Sequence, residues 1–457
     1  MIKKAFSEIC TLLLIAVMLA ISAPCITYAE DAIFLRPFIL TLRVGDNTFG
    51  LRAYHASYEH NIFLSLTDLS LALNGTEKQY SIVYSRSNQD GEYHDIRTGE
   101  SYLEDNNGIT PTEYDQREDV WLVFKRNRLF VNGEDRKYYT CREGGYDLFM
   151  NLVDVQLMLD LNIQELSSGV FRIDPQDSFT PDYLALQAEG YFNALNGFVV
   201  GDADTGVMLC GNNMYSTSPV ASISKLMTYL LVREAMQRGE FEVTDTFSVS
   251  PSVAAVAQSG DGIVYMEEGQ EISVQELLEA MLVASSNESS VALAEMTEGS
   301  EESFVKKMND KAAQLGLSSA KFYTSNGLPS YTNGTIPAKL QNSMSPYELF
   351  RLCSYVLKTY PEITEITSKE YVSLPSVKYA SANSNPLVFN LPGTTGLKTG
   401  STTRAGYCLA ASLPVTVNRE THTIILVLLG AETASERGQM SEILLKFAKK
   451  YYEQNGF

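Results

Sequence analysis

The segment Phe63-Leu64-Ser65-Leu66-Thr67-Asp68-Leu69-Ser70-Leu71-Ala72-Leu73 can be laid on Phe149-Met150-Asn151-Leu152-Val153-Asp154-Val155-Gln156-Leu157-Met158-Leu159. Asp68 then meets Asp154 and every apolar position is kept. A pattern repeated in this way marks two copies of one structural unit. In each copy an acid opens a short amphipathic helix, and a strand-like run comes before it: Leu40 to Leu51 in the first, Trp121 to Val131 in the second. Two ββα-type units are therefore expected to make a smaller α+β repeat domain over residues 30–175.

At 457 residues the chain is too long for one ordinary domain. Between Asp174 and Pro181 it reads Asp-Pro-Gln-Asp-Ser-Phe-Thr-Pro, turn and breaker chemistry without periodicity, so a second domain is expected over 176–457. The start, Met1-Ile2-Lys3-Lys4, then an apolar stretch from Thr11 to Ala23, then small or polar residues up to Thr27-Tyr28-Ala29, has the order of a secretory signal peptide, residues 1–29. Its apolar stretch falls short of the roughly 20 residues that span a bilayer, which disfavours a membrane anchor. The protein is thus expected outside the cytoplasmic membrane, in the cell envelope or beyond it.

Cys141, Cys210, Cys353 and Cys408 are too few and too scattered for a disulfide framework and read as small core residues. A formal net charge of −20 disfavours nucleic acid as a partner, because phosphates need a basic surface, and none is expected. His55, Glu59, His60 and His94 show no metal-ligand spacing, so no metal and no other cofactor is expected.

Further along, Phe198 to Gly201 and Val207 to Cys210 flank the turn sequence Asp202-Ala203-Asp204-Thr205-Gly206 and read as a hairpin. Pro219 and Ala221 lead into a helix carrying Ser222, and Ser273 opens another that runs towards Val283. Gly406 to Leu413 and Thr423 to Leu429 read as strands. Ser441 to Tyr452 reads as an amphipathic helix whose stripe, Ile443, Leu444, Phe447 and Tyr451, packs on the sheet.

Three of the four histidines lie in the repeat region, so a Ser-His-Asp triad would depend on His422, inside an expected strand. No phosphate-cradling glycine loop and no H-E-x-x-H or C-x-x-C motif occurs. Lysine is the other available base: three residues after a serine on a helix, its amine shares a face with the hydroxyl and reaches it. Ser222-Ile223-Ser224-Lys225 fits, but so do Ser303 with Lys306 and Ser318 with Lys321. Ser222 is set apart by two motifs downstream of it, Ser285-Ser286-Asn287 and then Lys398-Thr399-Gly400.

With Ser218 to Thr228, Leu282 to Asn287, Asn326-Gly327-Leu328, Asn383 with Asn385, and Gly396 to Thr402 continuing to Ala405-Gly406, the second domain resembles the serine-type D-alanyl-D-alanine carboxypeptidases, the low-molecular-mass penicillin-binding proteins. Ser286 stands where that family usually has glycine, and Ser401 where a larger residue is common. The first domain resembles the copper amine oxidase N-terminal-like repeat domain, in pattern only. The resemblance implies an α/β (α+β) architecture: a β-lactamase/transpeptidase-like domain, with a central antiparallel sheet flanked by helices, behind the smaller α+β repeat domain.

It also implies roles. Ser222 is the expected nucleophile, Lys225 its base, and Ser285 a proton relay to the departing amine; Asn287 holds Lys225 and meets the substrate's peptide group. Lys398, Thr399, Gly400, Ser401 and Thr402 form the expected substrate strand, with desolvation and the nearby charge of Lys398 lowering the pKa of Lys225 and the backbone N-H groups of Ser222 and Ser401 as oxyanion hole. Peptidoglycan stem peptides are the implied substrates and β-lactam antibiotics the implied covalent inhibitors, with cell-wall docking through the N-terminal domain. A β-lactamase and a D,D-endopeptidase share these motifs, and a non-catalytic peptidoglycan-binding protein is the remaining alternative. No Glu-x-x-Leu-Asn occurs between Asn287 and Lys398 to supply the deacylating base of class A β-lactamases.

Overall fold

The computed structural model describes residues 32–56, 62–87, 91–102, 117–118, 120–123, 129–136, 138, 140–143, 147–177, 179, 186–187, 190–330 and 340–457. The expected signal segment, with Glu59 and His60, lies outside the described residues.

Both copies of the repeat fold as a strand running directly into a helix. They are β3 (Ile62–Ser65) with α1 (Leu66–Leu73), and β10 (Asp147–Asn151) with α2 (Leu152–Leu159). The helix starts are fixed locally: Ser65 accepts from Asp68 N, and Asn151 accepts from Val153 N, each satisfying a donor that the helix cannot. β3 and β10 are antiparallel neighbours with Phe63 opposite Asn151, Leu64 opposite Met150 and Ser65 opposite Phe149. Because Leu64 and Met150 are equivalent in the repeat, the copies meet about a local two-fold centred on that pair.

The strand-like runs before the two helices fold differently from the expectation. Leu40 to Leu51 is broken by Gly45, whose φ of 58° makes the turn between β1 (Ala32–Val44) and β2 (Asn47–Ala56). Trp121 to Val131 is divided between β6 (Val120–Val123), which pairs with β1, and β7 (Leu129–Val131), which belongs to another sheet. With β4 (Tyr80–Ser87), β5 (Gly91–Thr98), β8 (Glu134–Arg136), β9 (Thr140–Glu143), β11 (Ile163–Ser167) and β12 (Val170–Ile173), these strands form two sheets. One runs β11-β12-β1-β2-β3-β10-β9 with β6 beside β1, and the other runs β4-β5-β7-β8.

From Gly197 onward the centre is a five-stranded antiparallel sheet. Its order is β14 (Met208–Asn212), β13 (Gly197–Asp202), β17 (Glu420–Ala431), β16 (Gly406–Val417), β15 (Gly396–Thr402). The hairpin around Asp202 to Gly206 is present as expected, with the Asp202 carboxylate accepting from Asp204 N and Thr205 N. On one face lie α3 (Lys225–Gln237), α4 (Val274–Glu279), α5 (Asn287–Glu298) and α6 (Pro346–Thr359), whose apolar side chains share one core with the inward side of the sheet. The other face is covered by α7 (Ala434–Asn455), a capping-box helix begun by Thr433 and Glu436. Ile443 and Leu444 pack there as the stripe requires, but Tyr451 is 40% exposed and Tyr452, at 5%, is the buried aromatic. Leu157 of the second repeat joins the same apolar cluster as α7. Among the described residues no helix is long and apolar enough to cross a membrane, and Cys141, Cys210, Cys353 and Cys408 are free thiols.

The repeated acid has taken two partners. Asp68 binds Arg52, whose guanidinium also reaches Asp147 Oδ2 at 2.6 Å, whereas Asp154 faces Gln439 and Glu442 of α7, and burial pushes its carboxyl up to about 8. Replacing Arg52 by Met leaves two largely buried carboxylates without their cation, so Arg52→Met is expected to destabilise the N-terminal sheet by about 3–5 kcal/mol in denaturant titrations. A loss below about 1 kcal/mol would show that the pair is not structural.

Candidate active site

Ser222 lies in a tight 3-10 turn, Ala221–Ser224, that delivers Lys225 as the first residue of α3. The sequence suggests a continuous helix here; the turn differs because Ala221 is held at φ 47°, a left-handed conformation. Two glycines grip this turn. A Cβ on Gly327, at φ +88°, would stand 2.1 Å from Ala221 O, and one on Gly400 would stand 2.8 Å from Ser222 N. Strand β15 and the Asn326-Gly327 loop therefore approach the Ser222 turn as closely as backbone permits.

Lys225 is wholly buried. Its Nζ donates to Ser222 Oγ at 2.8 Å and to Asn287 Oδ1 at 2.8 Å. Asn287 is the first residue of α5, begun by the Ser286 cap, and its Nδ2 donates to Asp261 O at 2.7 Å. The helix start thus orients an amide whose oxygen faces the amine. Ser285 ends the π-helical turn Ala280–Ala284 in a left-handed conformation, φ 68°. Among the described residues it makes no hydrogen bond to Lys225, whose two donated bonds go to Ser222 and Asn287.

On β15, Lys398 and Thr399 are buried, Gly400 packs on the Ser222 turn, Ser401 is exposed and Thr402 half-buried. Lys398 Nζ donates to Thr399 O at 2.9 Å. Thr399 Oγ1 shares a 2.6 Å hydrogen bond with Ser384 Oγ, and Ser384 N donates to Val283 O, tying β15 to the π-turn before Ser285. Thr402 Oγ1 accepts from Ala405 N, which closes the turn into β16. Asn383 and Asn385 brace backbone, Asn383 reaching Thr367 O and Lys369 O and Asn385 reaching Gly396 O.

Burial pushes the Lys225 amine down to about 7, while the Glu288 carboxylate pulls the other way. Lys398 is held well below the usual lysine range, first by burial, then by Lys225 and Arg437. Of the two expected causes of Lys225's low pKa, loss of water is the one that acts, and the charge of Lys398 is not among the causes. The physical reason is the position at the start of a packed helix, where no solvent stabilises an ammonium.

Ser303 and Lys306 are exposed, and Ser318 Oγ donates to Glu348, so burial separates Ser222 and Lys225 from the two other pairs of the same spacing. The expected irrelevance of His422 to a triad also follows from contacts: Nδ1 meets Asp202 Oδ2 at 2.6 Å, Nε2 meets Glu420 Oε1, and the ring stacks on Phe457. Asp202, Asp204 and His422 do bring ligand-capable atoms within 4.8 Å of one another. Their oxygens and nitrogens already serve each other and the hairpin turn. Glu288, Asp261, Ser384 and Arg437 belong to none of the motifs; of them only Glu288, directly after Ser286-Asn287, carries a sequence signal, a charge at a helix start.

Residues 192–433 match the family profile described as D-alanyl-D-alanine carboxypeptidase, more than half of the chain. The chain belongs to that family. It is 35% identical over 258 residues to D-alanyl-D-alanine carboxypeptidase DacF of Bacillus subtilis, covering 56% of this chain and 62% of that protein. It is 31% identical over 199 residues to the D-alanyl-D-alanine endopeptidase of Haemophilus influenzae, covering 43% and 62%. The chain therefore spans less than two thirds of the length of these relatives. Among solved structures, a peptidoglycan synthesis regulatory factor, PBP3, of Streptococcus pneumoniae superposes with a TM-score of 0.51 at 26% identity, over 56% of this chain and 73% of that one.

Below its midpoint a lysine base is protonated and cannot accept a proton, so modification of Ser222 by an acylating reagent is expected to rise with pH along a limb centred near 7. Lys225→Met should lower the rate by about 10²–10⁴-fold with the fold retained by circular dichroism. A limb centred near the ordinary lysine value, or normal acylation in Lys225→Met, would refute the base.

Proposed function

We propose that this protein is a serine-type D-alanyl-D-alanine carboxypeptidase, removing the terminal D-alanine of peptidoglycan stem peptides through an acyl-enzyme on Ser222. One observation carries the reading: a buried amine, Lys225 Nζ, is one hydrogen bond from the Ser222 hydroxyl and one from Asn287.

In the proposed sequence Ser222 Oγ bonds to the carbonyl carbon between the two D-alanines as its proton passes to neutral Lys225. The backbone N-H groups of Ser222 and Ser401 receive the oxyanion, a donor pair worth roughly 3–4 kcal/mol per donor in this chemistry. The C-N bond then breaks, the proton travels from Lys225 through Ser285 to the leaving nitrogen, and D-alanine departs. Water, giving its proton back along the same path, splits the ester and restores Ser222. Lys398 and Thr399, with Ser401 or Thr402, take the substrate's terminal carboxylate; that anion restores the charge which burial disfavours on Lys398. Gly400 leaves the substrate backbone room to pair with β15. A β-lactam carbonyl is attacked in the same way.

On this reading the protein works outside the cytoplasmic membrane after removal of residues 1–29, with 30–175 as a spacer or wall-docking domain and 176–457 as the catalytic domain. Cleavage of peptide cross-links is the second reading, favoured by the similarity to a relative named as an endopeptidase.

Labelled penicillin is expected to give a covalent adduct on the Ser222 peptide by mass spectrometry, absent in Ser222→Ala, and a diacyl D-Ala-D-Ala peptide is expected to release D-alanine. No D-alanine release together with rapid penicillin turnover would mean a β-lactamase; no adduct at all would leave a binding protein.

A further inference from the structure

Glu288 is fully buried, and no step of the proposed reaction uses it. Its carboxylate accepts from Val264 N, from Ile263 N at 3.2 Å and from Ser286 Oγ at 2.7 Å. The last bond depends on a hydroxyl at position 286; glycine there would have none to offer. Next to it, Asn287 sends Nδ2 to Asp261 O and Oδ1 to Lys225 Nζ. Two consecutive side chains at the start of α5 therefore hold the segment 261–264, and one of them also holds the base. The segment is pressed down at its other side too, since a Cβ on Gly262 would stand 2.3 Å from Ala257 O.

Three donors and the N-terminal turn of a helix favour negative charge at this position. In a buried site that charge acts on Lys225 with little screening. The charged groups around the base are then Glu288 from α5, Lys398 from β15 with Arg437 of α7 beyond it, and the exposed Asp261 in the held segment. Glu288 is the group that opposes the effect of burial on Lys225.

We propose that Glu288, braced by Ser286, is a positioning residue for the acyl-transfer base: it clamps the 261–264 segment over the Asn287 to Lys225 contact and holds a negative charge beside Lys225 against the effect of burial. This rests on Lys225 acting as the base of the reaction proposed above.

The test measures acylation of the full chain by labelled penicillin as a function of pH. Glu288→Gln keeps the shape and removes the charge, so the amine loses its proton more readily. The midpoint of the acid limb is expected to move to lower pH by about one unit, with the plateau reduced about tenfold as the clamp loosens. Glu288→Asp, which keeps the charge, should return the midpoint towards that of the unaltered protein. A lowered plateau with an unmoved midpoint in Glu288→Gln would reduce the residue to a structural role and overturn the proposal. Ser286→Ala gives an independent arm: amide exchange at Ile263 and Val264 should quicken and the plateau fall, with the midpoint kept. Unchanged exchange and plateau would overturn the brace. Failure of the unaltered protein to be labelled at all would instead sink the acylation reading beneath it.

Discussion

Lys225 Nζ sits 2.8 Å from Ser222 Oγ and 2.8 Å from Asn287 Oδ1, with its side chain wholly out of water. An ammonium in that position would lose most of its hydration, which is why the amine can be neutral near pH 7 and why the chain around it has little freedom. The Ser222 turn must reach the amine from one side, which needs the left-handed Ala221 and the two glycines that let β15 and the Asn326-Gly327 loop close in. The amide must reach it from the other, which needs the capped start of α5. A second buried lysine, Lys398, lies on the strand that completes the wall. Two amines below their ordinary pKa in one site strain the fold electrostatically, a local departure from the most stable arrangement of the kind expected where chemistry is done.

Much of this was legible in the residues. The order Ser222, Lys225, Asn287, Lys398-Thr399-Gly400 named the groups that the fold brings together, because the helical spacing of three and the strand residue order survive folding unchanged. What spacing could not carry was burial. Ser303 with Lys306 has the same spacing and remains in solvent, since solvent exclusion depends on elements far apart along the chain. For the same reason the charge of Lys398 looked like a second cause of Lys225's state beside loss of water, when loss of water alone pushes the amine down. Glu288 showed only as a charge at a helix start, because its partners are the Ser286 hydroxyl and two backbone N-H groups of a loop that no pattern announces.

The repeat shows the same division between local and tertiary information. Strand, cap and helix recur in both copies, and Leu64 opposite Met150 sets them about a common axis. The runs preceding them diverge, since a single turn at Gly45 and a change of sheet between β6 and β7 are decided by neighbours, not by alternation. Asp68 and Asp154 occupy equivalent places yet meet an arginine in one case and α7 carboxamide and carboxylate in the other. Leu157 of α2 packs in the cluster beneath the sheet that carries Lys398, so the second copy touches the support of the site.

The claim on which all of this turns is that Lys225 is neutral at the pH where it works, and selective NMR titration of its Nζ in the folded protein measures that directly. A midpoint near 7 is the predicted result. A midpoint near the ordinary lysine value of about 10.4 would contradict it, since the amine would then be protonated and unable to take the proton of Ser222.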